Sequence, residues 1–233
     1  MWLIAEYEAV TLFSLKLSTA TSSGGKTLLV PTPYALKMAL LDSACRVLGV
    51  NQAELLWEQI RDLHVAIRPA PKVVVTNLFQ RILKPYKNPP KPGIPDFGPF
   101  QRTIGYREYA QMIGPMAVAL ELGEKHRETF VKLLLNINYF GKRGGFVQLM
   151  KTPMDVDELP KQFIDATSEQ SSFLVFGTLQ ILDDCAPSLS FERANIYSGV
   201  KLKEDDRIRR NIILPYRMTR SSKSFSLYEY VTD

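Results

Sequence analysis

Apolar and polar residues partly alternate over residues 3–18 (LIAEYEAVTLFSLKLS), with β-branched and aromatic members, and predict a strand. A Ser/Thr/Gly loop follows at 18–27. Thr32 can then cap a helix and Pro33 suits its first position, so PYALKMALLDSACRVLG reads as a helix stopped by Gly49. Ala35, Leu36, Ala39, Leu40 and Leu48 make it apolar enough to be buried against a sheet. A shorter helix is predicted over 52–63, and a strand region over 64–70 and 72–83. Residues 84–99 carry six prolines, a density that forbids helix and central strand. A return strand is predicted over 102–112 and another strand over 117–122. Residues 124–137 form an amphipathic pattern with Phe130, Leu133, Leu134 and Ile137 on one face, followed by a strand over 146–151. Beyond that, 171–182, 209–219 and 224–231 are the clearest strands.

The order strand, helix, strand, long excursion, strand, helix, strand matches the split βαβ, ferredoxin-like pattern. The expected class is α+β, with a βαββαβ core over 1–151 and a strand-rich C-terminal subdomain over 152–233.

Composition adds bounds. The 233 residues suffice for one large domain or two small ones, and 45% hydrophobic content allows an ordinary core. No run of eighteen apolar residues occurs, so no membrane span is expected, and the N-terminus lacks the basic leader of a signal peptide. Cys45 and Cys185 have no metal spacing; a buried Cys45 thiol and a reducing cytoplasm are the default expectation.

Charge changes the picture more. The net charge is +5, with pI near 9.1. Between Arg81 and Arg107 six cations (Arg81, Lys84, Lys87, Lys91, Arg102, Arg107) face one anion, Asp96. A second cluster holds Arg207, Arg209, Arg210, Arg217, Arg220 and Lys223. Such clustering points to a polyanion partner, against the plainer reading of a solvated surface.

Chemistry narrows the partner. Ser22-Ser23-Gly24-Gly25-Lys26-Thr27 resembles the end of a nucleotide phosphate loop, but the first glycine of that motif falls on Ala20 and no helix follows directly. His64 and His126 are the two histidines and read as structural and surface residues; DVDELP (155–160) and EDD (204–206) read as solvated loops. No metal site or cofactor is expected. The loop Asn138-Tyr139-Phe140-Gly141-Lys142-Arg143-Gly144-Gly145-Phe146 pairs cations with glycines and flanking aromatics. That combination offers phosphate contacts and stacking surfaces, although a helix cap followed by a basic turn explains it equally. Lys84, Tyr86, Lys87, Lys91, Phe97 and Phe100 interleave cations and aromatics in the excursion.

With its N-terminal strand, polar loop and proline-marked helix (FSLKLSTATSSGGKTLLVPTPYALKMALLDSACRVLG), its long excursion at 84–112 and YFGKRGGFVQL after the second helix, the chain resembles the repeat-associated mysterious protein superfamily. Within it, the chain is most similar to the class 1 CRISPR (Cascade-type) effector subunit that caps the foot of the complex and holds the 5′ handle of the guide RNA. The helix departs from the small-Gly-Leu-Leu core common in that family, having Lys37-Met38-Ala39-Leu40-Leu41.

The resemblance implies an RNA-recognition-type fold, a thumb-like projection at 84–112, and a cytoplasmic antiviral ribonucleoprotein. Guide RNA, backbone and large subunits would be its partners, with target DNA reached through the complex. RNA contacts are then expected from Lys26, Lys37, Lys84, Tyr86, Lys87, Lys91, Arg102, Arg107, Gly141, Lys142, Arg143, Gly144 and Gly145. Some relatives cleave the guide precursor without metal, and His64, Tyr86, Tyr106, Tyr109 and lysine residues could serve such chemistry, but no clustered His/Tyr/Lys set is visible. The preferred reading is a non-catalytic binder; the alternatives are a metal-independent endoribonuclease and a basic scaffold docking an acidic protein.

Overall fold

Period-two alternation builds the central sheet. The structure, a computed structural model, describes residues 1–16, 24–88, 90–93, 97–168 and 177–231. Most of the polar loop (17–23, with Ser22 and Ser23) and the start of the expected 171–182 strand lie outside the described residues. The elements are β1 (Trp2–Ala9), β2 (Gly24–Gly25), α1 (Pro33–Leu48), α2 (Val50–Arg61), β3 (Val65–Arg68), β4 (Lys72–Pro85), β5 (Phe100–Ile113), β6 (Met116–Glu121), α3 (Arg127–Leu135), β7 (Val147–Leu149), β8 (Met154–Val156), β9 (Ile164–Asp165), β10 (Thr178–Cys185), α4 (Phe191–Ala194), β11 (Arg207–Leu214), β12 (Tyr216–Ser221) and β13 (Phe225–Tyr230).

The first sheet runs β7-β1-β6-β3-β9, with β8 also pairing β1, and its pairings are antiparallel. Leu3, Ala5 and Tyr7 of β1, Val65 and Ile67 of β3, and Val118 and Leu120 of β6 enter one core with Leu36, Leu40, Phe130 and Leu134 of the helices. Each fully buried leucine there contributes about 1.5–3 kcal/mol. The alternate positions, Ile4, Ala66, Ala117 and Ala119, form a thin second layer under Trp2, Val156, Leu159 and Phe163. Tyr7 shows how the core is fastened: its hydroxyl donates to the Leu134 carbonyl at 2.8 Å, and its ring meets Phe140 edge-on.

The fold is thus mixed α and β. Its pairings are antiparallel except where β2 lies parallel to β5, with Gly25 opposite Arg107. The helix forecast holds in detail: the Ala35 N–H donates to Thr32 Oγ1 at 3.1 Å and Pro33 opens α1. Gly49, at φ +87°, separates α1 from α2.

Several expectations need correcting. The first strand ends at Ala9, and among the described residues only isolated bridges, Phe13 to Ala110 and Lys16 to Thr27, continue it. Residues 72–83 leave the core sheet. They form one arm of a hairpin, β4–β5, that belongs to a second sheet ordered β12-β13-β4-β5-β2. The expected excursion at 84–112 is thus the tip and return arm of a continuous ladder that runs from Lys72 opposite Ile113 to Pro85 opposite Phe100. The expected 209–219 strand breaks at Pro215: β11 pairs β10, while β12 turns to β13. Proline has no N–H for a ladder, which suits the switch. Cys45 is half-buried and Cys185 buried, both as free thiols. Residues 152–233 supply strands to both sheets as well as the β10–β11 pair.

Candidate nucleic-acid interface

Three separate stretches converge beside the N-terminus of α1. The segment 13–16 is locked onto β5 by reciprocal hydrogen bonds between Phe13 and Ala110, at 2.8 and 2.7 Å. It is stitched to the following chain by the Leu15 N–H donating to Thr27 Oγ1 (3.0 Å) and the Leu28 N–H donating to the Leu15 carbonyl (2.7 Å). The Thr27 N–H donates to Glu108 Oε2 at 2.9 Å, so β5 holds both. This places Lys16, Gly25 and Arg107 on one wall of a cleft of about 400 Å³.

The loop after α3 supplies the second wall. Gly141 and Gly144 have φ of +70° and +116°, which side-chain-bearing residues rarely adopt. The Phe140 N–H donates to the Gly145 carbonyl and the Gly145 N–H to the Lys142 carbonyl, each at 3.1 Å, closing a tight turn. A Cβ on Gly145 would stand 2.9 Å from the Phe13 ring. The glycines thus serve the turn and its packing, and the turn presents Lys142 to the cleft.

Helix α1 with the β10–β11 pair makes the third wall. Arg207 of β11 lies over the Tyr34 ring, 3.8 Å from its centroid, and pairs with Asp183 of β10 at 2.9 Å. Burial pushes the Tyr34 phenol above its ordinary value, against the opposing pull of Arg207, so it stays protonated at neutral pH. The positive end of the α1 dipole adds to the field of the cations.

The cleft therefore gathers Lys16, Arg107, Lys142 and Arg207 against the single carboxylate of Asp183. Among the described residues, no carboxylate stands within ion-pair distance of Lys16, Arg107 or Lys142. Of the residues expected from sequence, Arg107, Gly141 and Lys142 line the cleft. Lys26 is exposed next to Gly25, and Arg143 and Gly144 are exposed on the same loop, while Gly145 is buried. Lys84, Tyr86, Lys87, Lys91 and Arg102 lie out along the β4–β5 hairpin and its tip. Lys84 shares a face with Gln101, whereas Arg102 projects with Leu83 from the opposite face.

Lys37 is a correction. Its side chain is 2% exposed and its Nζ donates to the Arg61 carbonyl and pairs with Asp184, both at 2.7 Å. The EDD stretch also differs from a solvated loop: Asp206 is fully buried and accepts from Arg193 Nε and the Lys203 N–H. Lys16, Tyr34, Asp183 and Arg207 also line the cleft and were not among the RNA contacts expected from sequence. Only Arg207 carried a signal, as the first member of the C-terminal basic cluster.

Both histidines line a different cleft, of about 500 Å³, with Asp62 and Glu121. His64 Nδ1 stands 3.6 Å from Glu121 and 3.9 Å from Asp165.

No protein-family model matches the chain. CRISPR-associated protein Cas5 of Archaeoglobus fulgidus is 24% identical over 207 residues, covering 85% of this chain and 86% of that protein. Two similar solved structures are a CRISPR protein from Archaeoglobus fulgidus (TM-score 0.49, 12% identity, 100% of this chain and 92% of that one) and a chain of a CRISPR RNA-guided surveillance complex (TM-score 0.50, 13% identity, 99% and 89%). The resemblance to Cascade-type CRISPR effector proteins is borne out. Among the described residues, no helix is long and apolar enough to cross a membrane.

Proposed function

We propose that this chain is a non-catalytic subunit of a CRISPR RNA-guided effector complex that binds the 5′ handle of the guide RNA. The carrying observation is the convergence of Lys16, Arg107 and Lys142, without a carboxylate partner among the described residues, on one cleft at the start of α1. Three unneutralised cations in a concave site suit a phosphate backbone. The similarity to Cas5 and to a surveillance-complex chain supports the assignment to an effector complex. The strand order β7-β1-β6-β3, antiparallel throughout, supports a ferredoxin-like core in the sequence fourth, first, third, second. The exposed cations of the hairpin, Lys84, Lys87, Lys91 and Arg102, fit a thumb that closes over RNA or meets a neighbouring subunit.

The non-catalytic reading is supported by where the histidines and the cleft tyrosine lie. Neither histidine lines the basic cleft, and the Tyr34 phenol there is covered by Arg207 and shifted away from ionisation. The double variant Arg107→Ala/Lys142→Ala tests the assignment by filter binding of handle RNA over a range of salt. Affinity should fall, and the salt slope should flatten by about 0.7 per lost phosphate contact. An unchanged affinity and slope would overturn it. Incubation of the wild-type chain with labelled repeat RNA in chelator should leave the RNA intact; specific cleavage would overturn the non-catalytic reading.

A further inference from the structure

The wall formed by α1, β10 and β11 is not designed for phosphate alone. Arg207 is pressed onto Tyr34, with Asp183 holding its guanidinium. Asp183 is only 7% exposed, and β10 behind it is fixed by Asp184, which pairs with Lys37 at 2.7 Å and Arg210 at 3.3 Å. The guanidinium is therefore held in one orientation from two sides. Leu15, Leu28, Ala35 and Met38 line the same cleft with apolar surface.

A phosphate needs neither a flat platform nor apolar walls, and the Asp183 carboxylate works against it. A planar, uncharged ring fits all three features. It can stack on a guanidinium plane whose charge is already offset, and its edges can meet the apolar side chains. About 400 Å³ falls within the range of small-ligand pockets, about 300–1,000 Å³.

We propose that the Arg207–Tyr34 stack is a platform for one unpaired nucleobase, splayed out of the RNA whose phosphates are held by Lys16, Arg107 and Lys142. Asp183 is its positioning residue. This rests on the RNA-binding reading above.

The test is an abasic scan. Fluorescein-labelled handle RNA and versions of it, each with one abasic nucleotide, are titrated against the full chain. Wild type should lose about tenfold in affinity at one position. Arg207→Lys keeps the charge but loses the plane; its penalty at that position should vanish while its salt slope stays. Glu54→Gln, exposed on α2 outside the cleft, should keep the penalty, which ties its loss to Arg207. A flat scan in wild type, with tight salt-dependent binding, overturns this inference and leaves the RNA reading standing, as does a penalty that survives in Arg207→Lys. Failure of wild type to bind any of these RNAs overturns both.

Discussion

Lys37 and Lys142 are both lysines in stretches that read from sequence as RNA-binding, and the fold uses them in opposite ways. Lys142 sits on a tight glycine turn, exposed, with no carboxylate in reach among the described residues. Lys37 lies on the buried side of α1, where its Nζ joins the last-turn carbonyl of α2 at Arg61 to Asp184 of β10. A buried ammonium is tolerated only when paired and hydrogen-bonded, and both conditions are met. The difference teaches that a cation's role depends on what a distant part of the chain brings to it. Lys37 joins the C-terminal strands to the helices; Lys142 is left for a partner.

The largest expected effect separates the two on stability. Lys37→Ala leaves the buried Asp184 carboxylate with only its more distant cation, Arg210, and should cost about 3 kcal/mol in urea unfolding. Lys142→Ala should stay within about 0.5 kcal/mol of wild type. Equal losses in both would break the comparison.

A second buried charge sharpens it through pH. Burial pushes the Asp206 carboxyl up, but the hydrogen bond from the Lys203 N–H and the Arg193 guanidinium more than offset this and hold it below its ordinary 3.8. Its contribution is full above that value and is lost as pH falls below it. Asp206→Asn should therefore cost about 2 kcal/mol at neutral pH. The gap to wild type should close on acidification below pH 3.8, followed by circular dichroism. A gap that stays constant into acid would remove the ionic account.

The smallest effect concerns the lip of the cleft. Thr32→Ala removes the α1 cap and should cost about 1 kcal/mol by thermal unfolding. No loss would mean that the cap oxygen is replaced by solvent at no cost.

The local parts of the fold were legible. Thr32-Pro33, Gly49 and the face of Phe130, Leu133 and Leu134 mark helices by signals contained within a few residues. The hairpin was legible only in part, since six prolines mark its tip region but say nothing of the ladder beneath it. What escaped depends on contacts between distant segments. Residues 72–83 are as apolar as a core strand, yet their partners are β5 and β13. At the site, Arg107 and Lys142 were legible as charge beside aromatics or glycine. Lys16 lay in an alternating stretch, and Tyr34 looked like a helix residue among others. Arg207 needed Asp183 and Tyr34, and neither is its neighbour in sequence.

The parallel contact of β2 with β5 has a mechanical consequence. Gly25 and Thr27 are fastened to the hairpin at Arg107 and Glu108, so the base of the projection is itself a cleft wall. Beyond Arg107 the arm continues through seven more residues to Phe100, roughly 24 Å at about 3.4 Å per residue. A load applied at the tip is delivered as torque at the very residues that face the cleft. The projection and the cleft lie on one lever, with Arg107 between the tip and the fulcrum where Phe13 clasps Ala110.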